Sequence, residues 1–454
     1  MLERVIAQLK NKQILVLGAG LTGMSCVRFL AKHQLSCDLN DSRENIINRE
    51  EFKQSFPGCS LHLGAWNEAL IKQAQVILIS PGIDLAAEGL NKLISDDCQV
   101  MGDVELFCQV TDKPMVAVTG SNGKSTLVSL LAHIGQSLGK NVALGGNIGV
   151  PVLEQLSDDI ECYILELSSF QLETLKSMKA VAASVLNVSD DHLDRHLTLE
   201  NYSEIKQRIY QQCQTAVINR DDKLSYSQID LPVDQVVSFG SNSAKQGDFG
   251  LALLDAKYYL TFGDEKLISL EELPLAGIHN ALNYLAALAL GYCLGWAIPD
   301  MISQFDSFKG LAHRCQRIAT SDNITWINDS KATNVGATLA AINGLSSTLV
   351  DNKLILIAGG DGKGADFSPL KAPIEKVVSF LITLGKDGGE IANLKNNSQQ
   401  VATLAEAVSL ANQQANSGDI VLLSPACASI DMFKNFAQRG EMFTDAVIAL
   451  QEAS

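Results

Sequence analysis

Met115-Val-Ala-Val-Thr-Gly120-Ser-Asn-Gly-Lys-Ser-Thr126 is an apolar, β-prone run that breaks at small residues and passes into Gly-Lys-Ser-Thr. Leu127 to Leu138 continues with apolar residues at helical spacing, so the stretch predicts a strand, a glycine-bearing turn and a helix. That order builds a phosphate cradle. Gly120 and Gly123 let backbone amides close on phosphate oxygens around Ser121 and Asn122, and the helix adds the positive end of its dipole. Lys124 contributes a point charge, and Ser125 or Thr126 offers a hydroxyl to Mg²⁺. The pattern departs from G-x-x-x-x-G-K-[ST] in one place, because the first glycine would fall at Val118 and the chain instead reads T-G-x-N-G-K-S-T. Binding of a nucleoside triphosphate is the working expectation.

Upstream, Gln13 to Leu17 reads as a strand, Gly18-Ala-Gly-Leu-Thr-Gly23 as a G-x-G-x-x-G turn, and the following residues to Ala31 as a helix. Further strands at Ser36 to Asn40 and Gln75 to Ile79 end in Asp41-Ser42-Arg43 and Ser80-Pro81-Gly82. In a parallel sheet these turns gather at the carboxyl edge, where ligands bind. Asp41 after the second strand suits a dinucleotide ribose, while Arg43 beside it suits a diphosphate; the residues alone leave both open.

Downstream of the phosphate loop, strands are predicted at Glu161 to Leu167 and Ala182 to Val188, each running into a polar cluster: Glu166-Leu-Ser168-Ser-Phe-Gln171 and Asn187-Val-Ser-Asp-Asp-His192-Leu-Asp-Arg-His196. Residues from about Leu231 to Leu275 read as a small antiparallel appendage, followed by a helix from Asn280 to Leu294. From Gly310 a third doubly wound unit begins, with strands at Thr325 to Asn328, Leu354 to Ala358, Phe380 to Leu384 and Ile420 to Leu423; Asn396 to Gln400 reads as a polar loop. The expected fold is α/β with three domains, 1–105, 106–309 and 310–454. The outer two are Rossmann-like, and the central one is a P-loop ATPase domain with a small β appendage.

Composition narrows the function. Thirty-five Lys and Arg against 51 Asp and Glu give a net charge of −16, which disfavours a broad nucleic-acid or anionic-membrane surface and makes any phosphate site local. The ten cysteines form no C-x-x-C pair or Cys/His cluster, so free thiols are expected rather than zinc. Met1-Leu-Glu-Arg4 has no signal-peptide pattern and no apolar run reaches membrane-spanning length, so a cytoplasmic protein without a membrane span is expected.

Mg²⁺ chemistry on ATP needs hard ligands, and Ser125, Glu166 and His192 can converge at one sheet edge. Glu166, alone in an apolar strand, needs a cation or donors to offset its desolvation. Lys206, in Tyr202-Ser-Glu-Ile-Lys-Gln-Arg-Ile-Tyr210, reads on its own pattern as a solvated helix lysine. Arg314 with Asp329 and Lys331 could grip a nucleotide across a domain seam or form an ordinary interdomain ion pair.

Thr119-Gly-Ser-Asn-Gly-Lys-Ser-Thr126, Glu166-Leu-Ser-Ser-Phe-Gln171, Asp191-His-Leu-Asp-Arg195, His279-Asn-Ala-Leu-Asn283, His313-Arg314 and Asn328-Asp-Ser-Lys-Ala-Thr-Asn334 stand in the order of one family's motifs. The sequence resembles the Mur ligases of peptidoglycan synthesis over essentially its whole length. Ser424-Pro-Ala-Cys-Ala-Ser429 with Asp431, Phe433 to Phe436 and Arg439-Gly440 resembles the D-glutamate-adding members. Folylpolyglutamate synthase shares the general plan.

The resemblance implies ATP-dependent addition of D-glutamate to UDP-N-acetylmuramoyl-L-alanine by a monomeric cytoplasmic enzyme. Leu21, Thr22, Asp41, Ser42, Arg43, Ser80, Pro81 and Gly82 would then meet uridine and diphosphate, with Asn147 and Ser168 on the sugar-nucleotide substrate. Asn280, Asn283, Arg314 and Asp329 would hold ATP with the phosphate loop, and Lys331, Thr333, Lys363, Ser429 and Phe436 would receive D-glutamate. Lys124, Glu166, His192 and Lys206 would be catalytic. Lys206 would be carbamylated and would join Ser125, Glu166 and His192 around two Mg²⁺ ions.

Overall fold

The computed structural model describes residues 1–454 apart from 228–234, 256, 276, 321–322, 347–348, 350–351 and 454. The first sheet comprises β1 (Ile14–Leu17), β2 (Cys37–Asp41), β3 (Cys59–Leu63), β4 (Val76–Ile79) and β5 (Gln99–Met101), all parallel in the order β3-β2-β1-β4-β5. Every residue of β1 and β4 is buried, as expected of central parallel strands covered on both faces. The order reverses between β1 and β4, which sets the Gly18 turn beside Ser80; Ser80 Oγ donates to Gly18 O at 3.3 Å. A Cβ at Gly23 would stand 1.8 Å from Gly18 O, so this glycine is required for the close helix–strand contact.

The central sheet comprises β6 (Met115–Thr119), β7 (Val142–Gly146), β8 (Cys162–Glu166), β9 (Ala182–Val185), β10 (Thr215–Asn219) and β11 (Gln235–Phe239). All are parallel, in the order β11-β10-β9-β6-β8-β7. β12 (Phe249–Leu254), β13 (Lys257–Phe262) and β14 (Glu265–Ser269) form the antiparallel appendage. The appendage is smaller than the sequence suggests, because β11 pairs with β10 in the main sheet. Part of the expected span, 231–234, lies outside the described residues. Helices Lys124–Ser137 and Ile278–Cys293 share one apolar core with β6 and β8. The first begins at Lys124 itself, three residues before the apolar periodicity, and β9 stops at Val185 rather than Val188.

The third sheet comprises β15 (Gln316–Ile318), β16 (Thr325–Asn328), β17 (Leu354–Gly359), β18 (Val378–Leu384), β19 (Ser398–Gln400) and β20 (Ile420–Leu423), in the order β15-β16-β20-β17-β18-β19. β15 is antiparallel to β16 and the rest are parallel. The expected polar loop at 396–400 contains β19, since an edge strand can pair through its backbone without apolar side chains.

The first and central domains are fused by one continuous core running from Val5 through Phe107 and Tyr163 to Tyr210. The third domain instead meets the central one through polar groups: Arg314 donates to Ser125, and Asn334 to Asn122 and Asp191. It is seated directly over the phosphate loop. Among the described residues no helix is long and apolar enough to cross a membrane.

Candidate functional site

The carboxyl ends of β6, β8 and β9 lie side by side. Gly123, at φ +86°, turns the chain from β6 into the helix. The first amides of a helix have no intrahelical partner and point outward from its start, here at Lys124. The loop is braced from behind: Ser121 N donates to Asn187 O at 2.9 Å and Asn122 N to Asn187 Oδ1 at 2.8 Å. A Cβ on Gly123 would sit 2.9 Å from Asn283 Oδ1, so Asn283 leans over the cradle, and Asn283 Nδ2 donates to Asn280 Oδ1 at 3.5 Å. Ser125 and Thr126 are buried at the helix start.

Lys124 Nζ donates to Gly120 O at 2.7 Å and to Ser121 O at 3.0 Å. Lys206 is not solvated: it is 1% exposed, and its amine donates to the same Gly120 O at 3.0 Å and to Thr119 Oγ1 at 3.3 Å. The amine also stands 4.4 Å over the Tyr202 ring. Burial, reinforced by the Lys124 charge, pushes the Lys206 amine well below the ordinary lysine range. Burial thus favours the neutral amine, the form that reacts with CO₂, over the charged one.

Glu166 is 2% exposed. Its Oε1 accepts from Asn147 Nδ2 at 3.0 Å, while Oε2 is buried without a hydrogen-bond partner. A buried carboxylate oxygen left without a partner can serve a cation. His192, in left-handed backbone at φ 53°, lies after β9 with its ring edge-on to Phe170 at 4.9 Å. Among the described residues no three His, Cys, Asp or Glu side chains form a metal-holding group. The oxygen these residues leave open to a cation is Glu166 Oε2. Ser168 caps the helix after β8 in a capping box with Gln171.

Arg314 is delivered by the third domain: Nη2 donates to Ser125 Oγ at 2.7 Å. Asp329 does not pair with it directly. Asp329 accepts from Cys315 N at 3.1 Å and Ser424 Oγ at 2.8 Å, and burial raises its pKa to about 6. Lys331 lies 3.9 Å over the Phe436 ring, and burial with the Arg314 and Lys124 charges lowers its pKa to about 8. Lys124, Arg314 and Lys331 are thus grouped around Glu166 with Lys206 beside them, a concentration of basic groups suited to a polyphosphate. Ser429 is buried beside the bridge between Asp361 and Ala428, and Lys363 is exposed two residues beyond Asp361. Thr333 follows Lys331 in the same turn.

In the first domain Asp41 works within the protein: its carboxylate accepts from Ala19 N at 2.7 Å and from Arg43 Nε and Nη2 at 2.9 and 2.7 Å. Arg43 beside it holds the carboxyl down at about 2. Leu21, Ser42, Arg43 and Gly82 are exposed around this turn, with Thr22, Ser80 and Pro81 partly so.

Sequence reasoning missed Tyr202, Asn187, Asn334 and the charge of Asp191. Tyr202 was findable, since it precedes Lys206 by four residues on one helix face; the contacts of Asn187 and Asn334 are non-local.

The family models for the MurD-like N-terminal domain, the Mur ligase middle domain and the Mur ligase glutamate ligase domain match residues 12–102, 118–291 and 313–427. The chain is similar to the UDP-N-acetylmuramoylalanine--D-glutamate ligase of Colwellia psychrerythraea, 55% identical over 464 aligned residues and 98% of each chain. It is 42% identical to the Haemophilus influenzae protein of that name, over 96% of this chain and 98% of that one. Among solved structures it resembles the Thermotoga maritima MurF ligase in complex with ADP (TM-score 0.65, 16% identity, covering 92% of this chain and 95% of that). It also resembles a pseudomurein peptide ligase from Methanothermus fervidus (TM-score 0.61, 20% identity, covering 97% and 100%).

Proposed function

The chain belongs to the Mur ligase family, and on that premise we propose that it joins D-glutamate to UDP-N-acetylmuramoyl-L-alanine, converting ATP to ADP and phosphate. The observation that carries the reading is the grouping of Lys124, Lys206, Arg314 and Lys331 within electrostatic reach of the buried Glu166, at the seam of the central and third domains.

A carboxylate is a poor electrophile, so its oxygen first attacks the γ-phosphorus of ATP and ADP departs. The amine of D-glutamate then adds to the acyl phosphate, and phosphate leaves from the tetrahedral intermediate. Both steps depend on positioning and on neutralising developing negative charge. Lys124 and the amides from Gly120 to Thr126, with Asn122, hold the β- and γ-phosphates. Arg314 adds a cation only when the third domain is seated, which couples chemistry to domain closure. Asn280, Asn283 and Asp329 complete the ATP site.

We assign Ser125, Glu166, His192 and a carbamylated Lys206 as the ligands of two Mg²⁺ ions. Bound magnesium neutralises phosphate charge along the transfer path. Burial that disfavours the charged form of Lys206 is the chemical reason to assign the carbamate there, because an anion beside Lys124 is better placed than a second buried cation.

The UDP moiety is assigned to Leu21, Thr22, Asp41, Ser42, Arg43, Ser80, Pro81 and Gly82, with Asp41 shaping the turn through Ala19 while Arg43 faces solvent. Asn147 and Ser168 are assigned to the sugar-nucleotide substrate. Lys331, Thr333, Lys363, Ser429 and Phe436 are assigned to D-glutamate, the lysines meeting its carboxylates. We place the domain divisions at 105/106 and 309/310 and take the enzyme to act as a cytoplasmic monomer. The test is product formation: phosphate should be released only when ATP, Mg²⁺, UDP-N-acetylmuramoyl-L-alanine and D-glutamate are all present, with the amide product identified by mass. Phosphate release that ignores the two organic substrates would contradict the proposal.

A further inference from the structure

Cys37 opens β2 and Cys59 opens β3, and the parallel register sets them directly opposite one another. Paired positions on neighbouring strands project to the same face, and the two sulfurs meet at 3.2 Å. Adjacent strands lie about 4.8 Å apart, inside the range of Cα separations that a disulfide spans. Closing to the bond length of about 2.05 Å requires the sulfurs to move by about 1 Å, which side-chain rotation can supply.

The two thiols are not equivalent. Cys37 is buried, and Cys59 is partly exposed. Hydrogen bonding from the Cys37 thiol holds Cys59 down at about 7 against the opposing effect of burial, while the same bond and burial push Cys37 up. The outer sulfur is therefore the one with thiolate character, and the inner one keeps its proton. The mechanism above uses neither.

We propose that Cys37 and Cys59 form a dithiol–disulfide exchange site for low-molecular-weight disulfides such as oxidised glutathione, with Cys59 attacking and Cys37 resolving. The Cys59 thiolate attacks one sulfur of the small disulfide, forming a mixed disulfide and expelling one small thiolate. The Cys37 thiol loses its proton to that thiolate or to solvent and attacks Cys59 Sγ, expelling the second. Two protein thiols are oxidised by two electrons, and one small disulfide is reduced to two thiols. The bond fastens edge strand β3 to β2, the strand that ends at Asp41.

The full-length protein is incubated with oxidised glutathione at about pH 8, quenched with acid, and analysed by intact mass and peptide mapping. Wild type should lose two hydrogens and yield a peptide linking residues 37 and 59. Cys37→Ser should stop at one glutathionyl adduct on Cys59, and Cys59→Ser should show neither product at these positions. Alanine replacements serve where a serine variant fails to fold. Wild-type protein in which both residues remain free to alkylate, or in which Cys37→Ser accumulates no adduct on Cys59, would overturn the proposal.

Discussion

Replacement of Lys124 by alanine separates the phosphate-loop account from a purely structural one. The Lys124 amine donates to Gly120 O and Ser121 O, so removing it withdraws two loop hydrogen bonds. Gly120 O keeps a donor, because Lys206 bonds to the same carbonyl. Only Ser121 O loses a donor that no other lysine supplies, and the variant no longer buries the Lys124 charge. The stability change should stay within about 1–2 kcal/mol, since a net hydrogen bond is worth about 1 kcal/mol. Transition-state stabilisation should fall much further. One charge-assisted donor on a developing anion is worth about 3–4 kcal/mol, or two to three orders of magnitude in rate at about 1.36 kcal/mol per tenfold. The assay is phosphate release at saturating substrates, run beside a thermal melt by circular dichroism. A folded Lys124→Ala protein with turnover within about tenfold of wild type would refute the reasoning.

Lys206→Ala should be inactive and partly restored by small carboxylic acids that fill the vacated space, while wild-type protein under CO₂ should show the carbamate by mass; full activity of the alanine variant would return Lys206 to a packing role. Lys331, with its pKa lowered to about 8 by burial and by Arg314 and Lys124, carries its charge below that pH, so KM for D-glutamate should climb above about pH 8 by up to tenfold per unit. A wild-type KM flat from pH 7 to about pH 9.5 would contradict that assignment. Asp103, 1% exposed with Oδ1 unpartnered, has its pKa raised by burial from 3.8 to about 6. The folded state therefore binds the proton more tightly than the unfolded chain. The stability it contributes is present below about pH 4 and is lost as pH rises to about 6, by at most about 3 kcal/mol. Thermal midpoints of wild type and Asp103→Asn should therefore diverge across that window, and a constant difference would contradict the assignment.

The strands of this chain are legible because most are buried parallel runs. Thr325–Asn328 and Ile420–Leu423 coincide with their apolar stretches, and the polar residues that terminate them mark the ligand edge. Lys206 is the instructive failure. Charge alone suggested solvent, yet Tyr202, Ile205 and Ile209 at helical spacing put position 206 on the buried face; what draws a lysine there is the Gly120 carbonyl, 86 positions away in sequence. Gln235–Phe239 was misplaced for the same reason, since its partner β10 is chosen by topology rather than by local pattern. The seam was legible only as residue types. Arg314 and Ser125 are 189 positions apart in sequence, and no spacing rule brings them to 2.7 Å.

Phosphate release with ATP, Mg²⁺ and UDP-N-acetylmuramoyl-L-alanine, offered D-glutamate, L-glutamate, L-alanine, L-lysine and meso-diaminopimelate in turn, with folate substrates as a separate control, tests the central claim most directly. On the proposal, the lysines at 331 and 363 meet an amino acid with two carboxylates, and the similar proteins are named D-glutamate ligases. D-Glutamate alone should support turnover. Equal turnover with L-glutamate, or activity only with a folate, would contradict the account.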